Sequence, residues 1–170
     1  MQSNQHQQFQ EQTPEQQAAT NKLNAMFGQL IQLRFCKPQA DAFEKCGITA
    51  MQKTLEKEQM PAKDGPEAIK FFDTRIKEHC PKEMQNLLDC DSSHFNNIET
   101  RKTLVNEAVN HPNCMKQKNE IAKCQQNNGH LAPAEMEKKC WPAMEAILSC
   151  GYSSMLQEAE QQASMMVKKK

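Results

Sequence analysis

Little in this chain could build a large oily core. Only 38% of its 170 residues are hydrophobic and 5% aromatic, with a single Trp and a single Tyr. Such a length holds one or two small domains, and small domains with thin cores ordinarily need covalent support. Surplus charge is also missing, since 21 basic residues balance 21 acidic ones. That leaves no clustered positive excess for nucleic acid. No run approaches the ~18 to 20 apolar residues of a membrane-spanning helix, so no transmembrane segment is expected. Residues 1–21 contain neither Lys nor Arg, which excludes the basic start of a secretory signal and the Arg-rich pattern of a matrix transit peptide. The Gln-rich stretch 1–17 reads as disordered on composition.

Catalytic signatures are absent as well. There is no Gly-rich phosphate loop, no His-Glu-x-x-His and no Gly-x-Ser-x-Gly. No two cysteines lie within four residues of each other, so neither a structural zinc cluster nor a Cys-x-x-Cys redox pair is available. The five histidines are His6, His79, His94, His111 and His130. His79 beside Cys80 and His111 three before Cys114 are the two nearest to ligand positions, and surface or capping roles are the expectation for both. No catalytic residue, metal or cofactor is expected, and the chain is not expected to be an enzyme.

What is present is regular. The eight cysteines form four pairs, Cys36/Cys46, Cys80/Cys90, Cys114/Cys124 and Cys140/Cys150, each Cys-x9-Cys. Ten residues of helix advance about 15 Å, nearly three turns, so two antiparallel helices carrying such pairs can be bridged near both ends. The midpoint of Cys46 and Cys80 is position 63, as is that of Cys36 and Cys90. It falls in Met60-Pro61-Ala62-Lys63-Asp64-Gly65-Pro66, a strong turn signal. The corresponding midpoint for the second set is 132, inside Asn127-Asn128-Gly129-His130-Leu131-Ala132-Pro133. Antiparallel helices then give Cys36–Cys90, Cys46–Cys80, Cys114–Cys150 and Cys124–Cys140. Spacing does not prove connectivity, because eight cysteines allow 105 pairings. The residue seven after each first cysteine is apolar: Phe43, Leu87, Ile121 and Ile147. These side chains and the cysteines form one inward seam per helix.

The expected fold class is all-α, two tandem disulfide-stapled antiparallel helical hairpins with flanking and connecting amphipathic helices. Its parts are a disordered start 1–17, an amphipathic helix 18–35 capped by Thr20, a first hairpin 36–90 and a connecting segment 91–113 with a helix over 96–109. A second hairpin covers 114–150, and a C-terminal amphipathic helix with its Lys tail covers 151–170. Phe71, Phe72 and Ile76 are expected to pack on Ile48, Met51 and Leu55. Pro81 and Pro142 predict kinks or breaks, and Gly151 predicts an interruption. Lys168, Lys169 and Lys170 complement a helix dipole. Whether the helices 18–35 and 152–166 face the hairpins or a partner stays open at this stage.

Paired cysteines imply an oxidising compartment, and without a secretory signal or matrix presequence they point to the mitochondrial intermembrane space. The arrangement over 36–150 resembles the CHCH (coiled-coil-helix-coiled-coil-helix, twin Cys-x9-Cys) family of that compartment. The apolar residue three before each second cysteine is similar to that family too. Four motifs, with Cys36-Lys37-Pro38 opening the first and Phe43 near its end, resemble the quadruple Cys-x9-Cys type of accessory subunit of respiratory complex I (NADH:ubiquinone oxidoreductase). The resemblance implies a non-catalytic structural subunit, peripheral on the inner membrane, with other subunits of the respiratory chain as partners. It also implies transient capture by the disulfide-relay import machinery through the Phe43/Cys46 or Leu87/Cys90 stretch. Subunits of cytochrome c oxidase, ATP synthase or a cristae scaffold are near alternatives. An assembly factor or metal chaperone is the alternative from another class. The adjacent cysteines of copper-delivering relatives and the Cys-Pro-Cys of the relay oxidoreductase are both missing here.

Overall fold

A computed structural model describes residues 13–57 and 65–167, with side chains described as far as residue 162. Three sequence expectations lie outside the described residues: the Gln-rich start through residue 12, most of the first hairpin tip, and the Lys168–Lys170 tail. The fold is all-α. Its helices are α1 (Pro14–Arg34), α2 (Lys37–Lys57), α3 (Pro66–His79), α4 (Pro81–Phe95), α5 (Ile98–Val109), α6 (Met115–Asn128) and α7 (Pro133–Val167). A 3-10 turn, Pro112–Cys114, joins α5 to α6. Among the described residues there is no strand.

The start of α1 corrects the sequence reading. Thr13, not Thr20, is the N-cap: its side chain accepts from the Gln16 backbone N–H, and the Gln16 side chain accepts from the Thr13 N–H. Pro14 then fills the first helical position, where its missing N–H costs nothing. Thr20 sits inside the helix instead.

Pro81 divides the returning arm of the first hairpin. α3 closes with the Cys80 N–H donating to Ile76 O at 2.8 Å, and α4 restarts with the Met84 N–H donating to Cys80 O at 3.0 Å. Cys80 is the joint between them. In the second hairpin Pro142 lies inside α7 and the helix continues past it. The bridge at Cys140 on one side and packed Ile147 on the other hold the rod across the lost hydrogen bond.

Between α2 and α3 the buried residues are not those expected. Gly47, Ala50 and Thr54 are buried on α2, and Ala68 on α3. The Ile76 side chain lies 3.7 Å from where a Gly47 Cβ would sit. Phe71, Phe72, Ile76 and Met51 are half-buried, whereas Ile48 and Leu55 are about half exposed. The reason is helical phase. Ile48 and Leu55 lie about 200° and 180° round the helix from Cys46, so the bridge that closes the hairpin turns them outward.

The main core lies away from both hairpin tips. Leu23, Phe27, Leu30 and Ile31 of α1 pack with Leu104 and Ala108 of α5, Tyr152 and Met155 of α7, and Cys36. Leu87 and Phe95 of α4 border this cluster. The Phe27 ring meets Phe95 edge-on at 5.4 Å and Tyr152 at 6.0 Å. Both flanking helices therefore pack on their own chain, which answers the question the sequence left open. Gly151 does not interrupt α7. It is buried where α7 crosses α5, and a Cβ there would fall 2.3 Å from the Ala108 carbonyl oxygen. Without a side chain at 151 the two backbones approach closely enough to seal the core.

Candidate functional site

The chemistry of the chain is concentrated in its sulfurs. The structure bonds Cys36 to Cys90, Cys46 to Cys80, Cys114 to Cys150 and Cys124 to Cys140. The Cα–Cα distances are 5.9, 6.0, 5.9 and 5.8 Å, inside the range a disulfide allows. No cysteine is free. Each bridge joins helices running in opposite directions: α2 receives Cys80 from the α3–α4 joint, and Cys90 of α4 reaches back to Cys36 between α1 and α2. In the second hairpin both bridges link the α6 arm to α7.

The seam residues fall in different environments. Ile147 is 1% exposed. Phe43, Leu87 and Ile121 are half-buried. Leu87 reaches the main core, and Ile121 and Ile147 line one small cleft with Val109 and Met144. α4 and α6 bury none of their residues fully. Each hairpin is therefore held more by its sulfur bonds than by its own apolar interface.

His79 and His111 do not approach one another or a third ligand. The His79 Nδ1 lies 2.8 Å from the Arg75 carbonyl oxygen of its own helix, as its donor. His111 is buried and caps the 3-10 turn: its Nδ1 accepts from the Asn113 N–H at 3.3 Å, leaving Nε2–H to donate to Glu158 at 3.1 Å. Among the described residues the one trio close enough to share an ion is Cys36, Cys90 and His94, with ligand atoms within 4.8 Å. The sequence names His94 only as one of five histidines and not as a ligand neighbour, although it lies four residues after Cys90 and so one turn along the same helix face. Both sulfurs are joined to each other, and the thiolate is the form that ligates metal. The oxidised chain thus offers only the imidazole there, stacked on Phe35 at 4.8 Å.

Away from the sulfurs, several large apolar side chains meet solvent. Ile48, Leu55 and Ile69 project on the arm beyond the Cys46–Cys80 bridge, Ile69 being 72% exposed. Leu88, Ile98 and Met115 are exposed elsewhere. No helix among the described residues is long and apolar enough to cross a membrane. Compared with protein-family models, curated proteins and solved structures, the chain gives no match. The geometry itself is that of a CHCH-like, disulfide-stapled helical fold.

Proposed function

We propose that this chain is a non-catalytic structural subunit of a mitochondrial respiratory-chain complex, complex I before others, on the intermembrane-space face of the inner membrane. The observation that carries this reading is the commitment of all eight cysteines to nested bridges across Cys-x9-Cys helices. A chain that spends every thiol on shape has none left for metal delivery or disulfide exchange. The exposed Ile48, Leu55 and Ile69 on the projecting arm supply apolar contacts for neighbouring subunits, and the resemblance of the Cys-x9-Cys pattern to the CHCH family suggests the compartment. Mass spectrometry of mitochondrial complexes separated under native conditions tests it. The chain is expected to co-migrate with a complex I assembly. Recovery only as a free, soluble species overturns the subunit reading, and co-migration with cytochrome c oxidase or ATP synthase moves it to that complex. A native alkylation assay separates the assembly-factor alternative: a subunit shows no reactive thiol before reduction, whereas a metal or thiol carrier shows at least one.

A further inference from the structure

A cleft of about 220 Å³ opens where α1, α5 and α7 meet. Its floor is apolar: Leu23 and Phe27 of α1 and Tyr152 of α7 are all buried. Trp141, the single tryptophan, forms one wall. Two residues of the lining each carry a polar side-chain atom that is out of water and without a hydrogen-bond partner, Thr20 Oγ1 and Trp141 Nε1. Buried donors are almost always paired in folded proteins, so both atoms lack a partner that a ligand in the cleft could supply through a small rotation of these two side chains. The Trp141 N–H can only donate, and the Thr20 hydroxyl can donate.

Arg101 stands at the exposed side of the same cleft. Its guanidinium lies over the Phe27 and Phe95 rings at 5.4 and 5.3 Å and donates to the Phe95 carbonyl oxygen at 3.2 Å. These contacts fix its position but use one of five N–H donors. It makes no ion pair among the described residues. No Asp or Glu lines the cleft. Burial also keeps the Tyr152 phenol protonated beyond its ordinary range, an effect the nearby Arg101 charge only partly opposes, so no competing anion forms there.

We propose that this cleft binds a small carboxylate with an apolar body, its head against Arg101, Thr20 and Trp141 and its tail on Phe27 and Tyr152. A carboxylate fits better than a phosphate. One guanidinium neutralises a single charge, and its planar fork matches two carboxylate oxygens. The cleft has room for roughly seven water-sized groups, the scale of a six-carbon acid.

Hexanoate is the probe, titrated into the oxidised full-length chain at neutral pH while the emission of Trp141 is followed. A saturable shift is expected with a Kd on the order of 1 mM. The neutral isostere 1-hexanol should bind at least about tenfold more weakly, the loss of one charge-assisted contact. Arg101→Gln should bring hexanoate down to the level of hexanol, and Thr20→Val should weaken hexanoate more than hexanol. If Arg101→Gln fails to fold, the comparison of hexanoate with hexanol on the unaltered chain still decides. Equal responses to acid and alcohol, or no saturable response to hexanoate, overturn the proposal.

Discussion

Gly151 and Tyr152 are neighbours in sequence, and each turns one local fact into a measurable property. A Cβ at 151 would press on backbone atoms of Ala108, at 2.3 to 2.6 Å, and backbone cannot swing aside as a side chain can. Gly151→Ala is expected to destabilise the fold by about 1–3 kcal/mol or more, seen as a lower midpoint in thermal unfolding. Shaving Ala108 to Gly should not rescue it, because the clash is with main chain. Gly28, also inside a helix, has nothing within 4 Å of its would-be Cβ. Gly28→Ala should therefore stabilise α1 by about 0.5–1 kcal/mol. Tyr152 sets an alkaline limit. Burial raises its pKa above the ordinary 10.0, with Arg101 pulling the other way. Between those two values the unfolded chain has released a proton that the folded chain keeps. Its contribution to stability is therefore complete below pH 10.0 and is lost as pH climbs through the raised value. With one tyrosine in the chain, tyrosinate absorbance reports this group alone. Its titration should lie higher in the folded protein than in denaturant, and Tyr152→Phe should flatten the alkaline fall in stability.

Helices and their bridges carry the next level. The loops closed by sulfur span 54, 34, 36 and 16 residues for Cys36–Cys90, Cys46–Cys80, Cys114–Cys150 and Cys124–Cys140. On a chain-entropy view each is worth roughly 3 to 4 kcal/mol, the longest loop most, although nested bridges share part of that sum. Replacing Cys36 and Cys90 together by Ala should be the most damaging double change, since Cys36 also belongs to the main core. Replacing Cys124 and Cys140 should be the mildest. Denaturant midpoints of the four double variants check the order. Much of this level was legible beforehand. The Cys-x9-Cys spacing and the turn midpoints lead to the nested pairing, and Pro81 marks the joint between α3 and α4. The start of α1 was less legible: Thr20 has the residue type of a cap, and only the pairing of the Thr13 and Gln16 side chains places the start earlier in the chain. The α2–α3 contact follows helical phase rather than side-chain size, which the composition of α2 does not reveal: Gly47, Ala50 and Thr54 face inward, while the larger Ile48 and Leu55 do not.

The whole molecule divides into one apolar centre and two covalently held arms. Leu30, Ile31, Leu104 and Met155 are fully buried in the centre, whereas α6 buries nothing completely. Reduction should therefore act unevenly. Under a mild thiol reductant, amide hydrogen exchange is expected to speed up first in α6 and in the distal part of α2 and α3, with α1, α5 and the 147–156 stretch of α7 protected longer. Uniform loss of protection would mean that the centre cannot stand without sulfur. This division was invisible in the sequence, since the stripes of α1 and of 152–156 suit either their own chain or a partner. Only Phe27 meeting Tyr152, and Ala108 meeting Gly151, assign them inward. The unbroken α7 has a further consequence. Cys150, which fastens one arm, and Gly151, which seats the centre, are adjacent on one rigid rod. An added or deleted residue between Cys140 and Cys150 would rotate everything beyond it by about 100°, so the Cys124–Cys140 bridge and the Cys150–Gly151 pair could not both find their places. Length variation in descendants of this chain should consequently collect at the Asn128–Pro133 tip or past Leu156, and spare the stretch between.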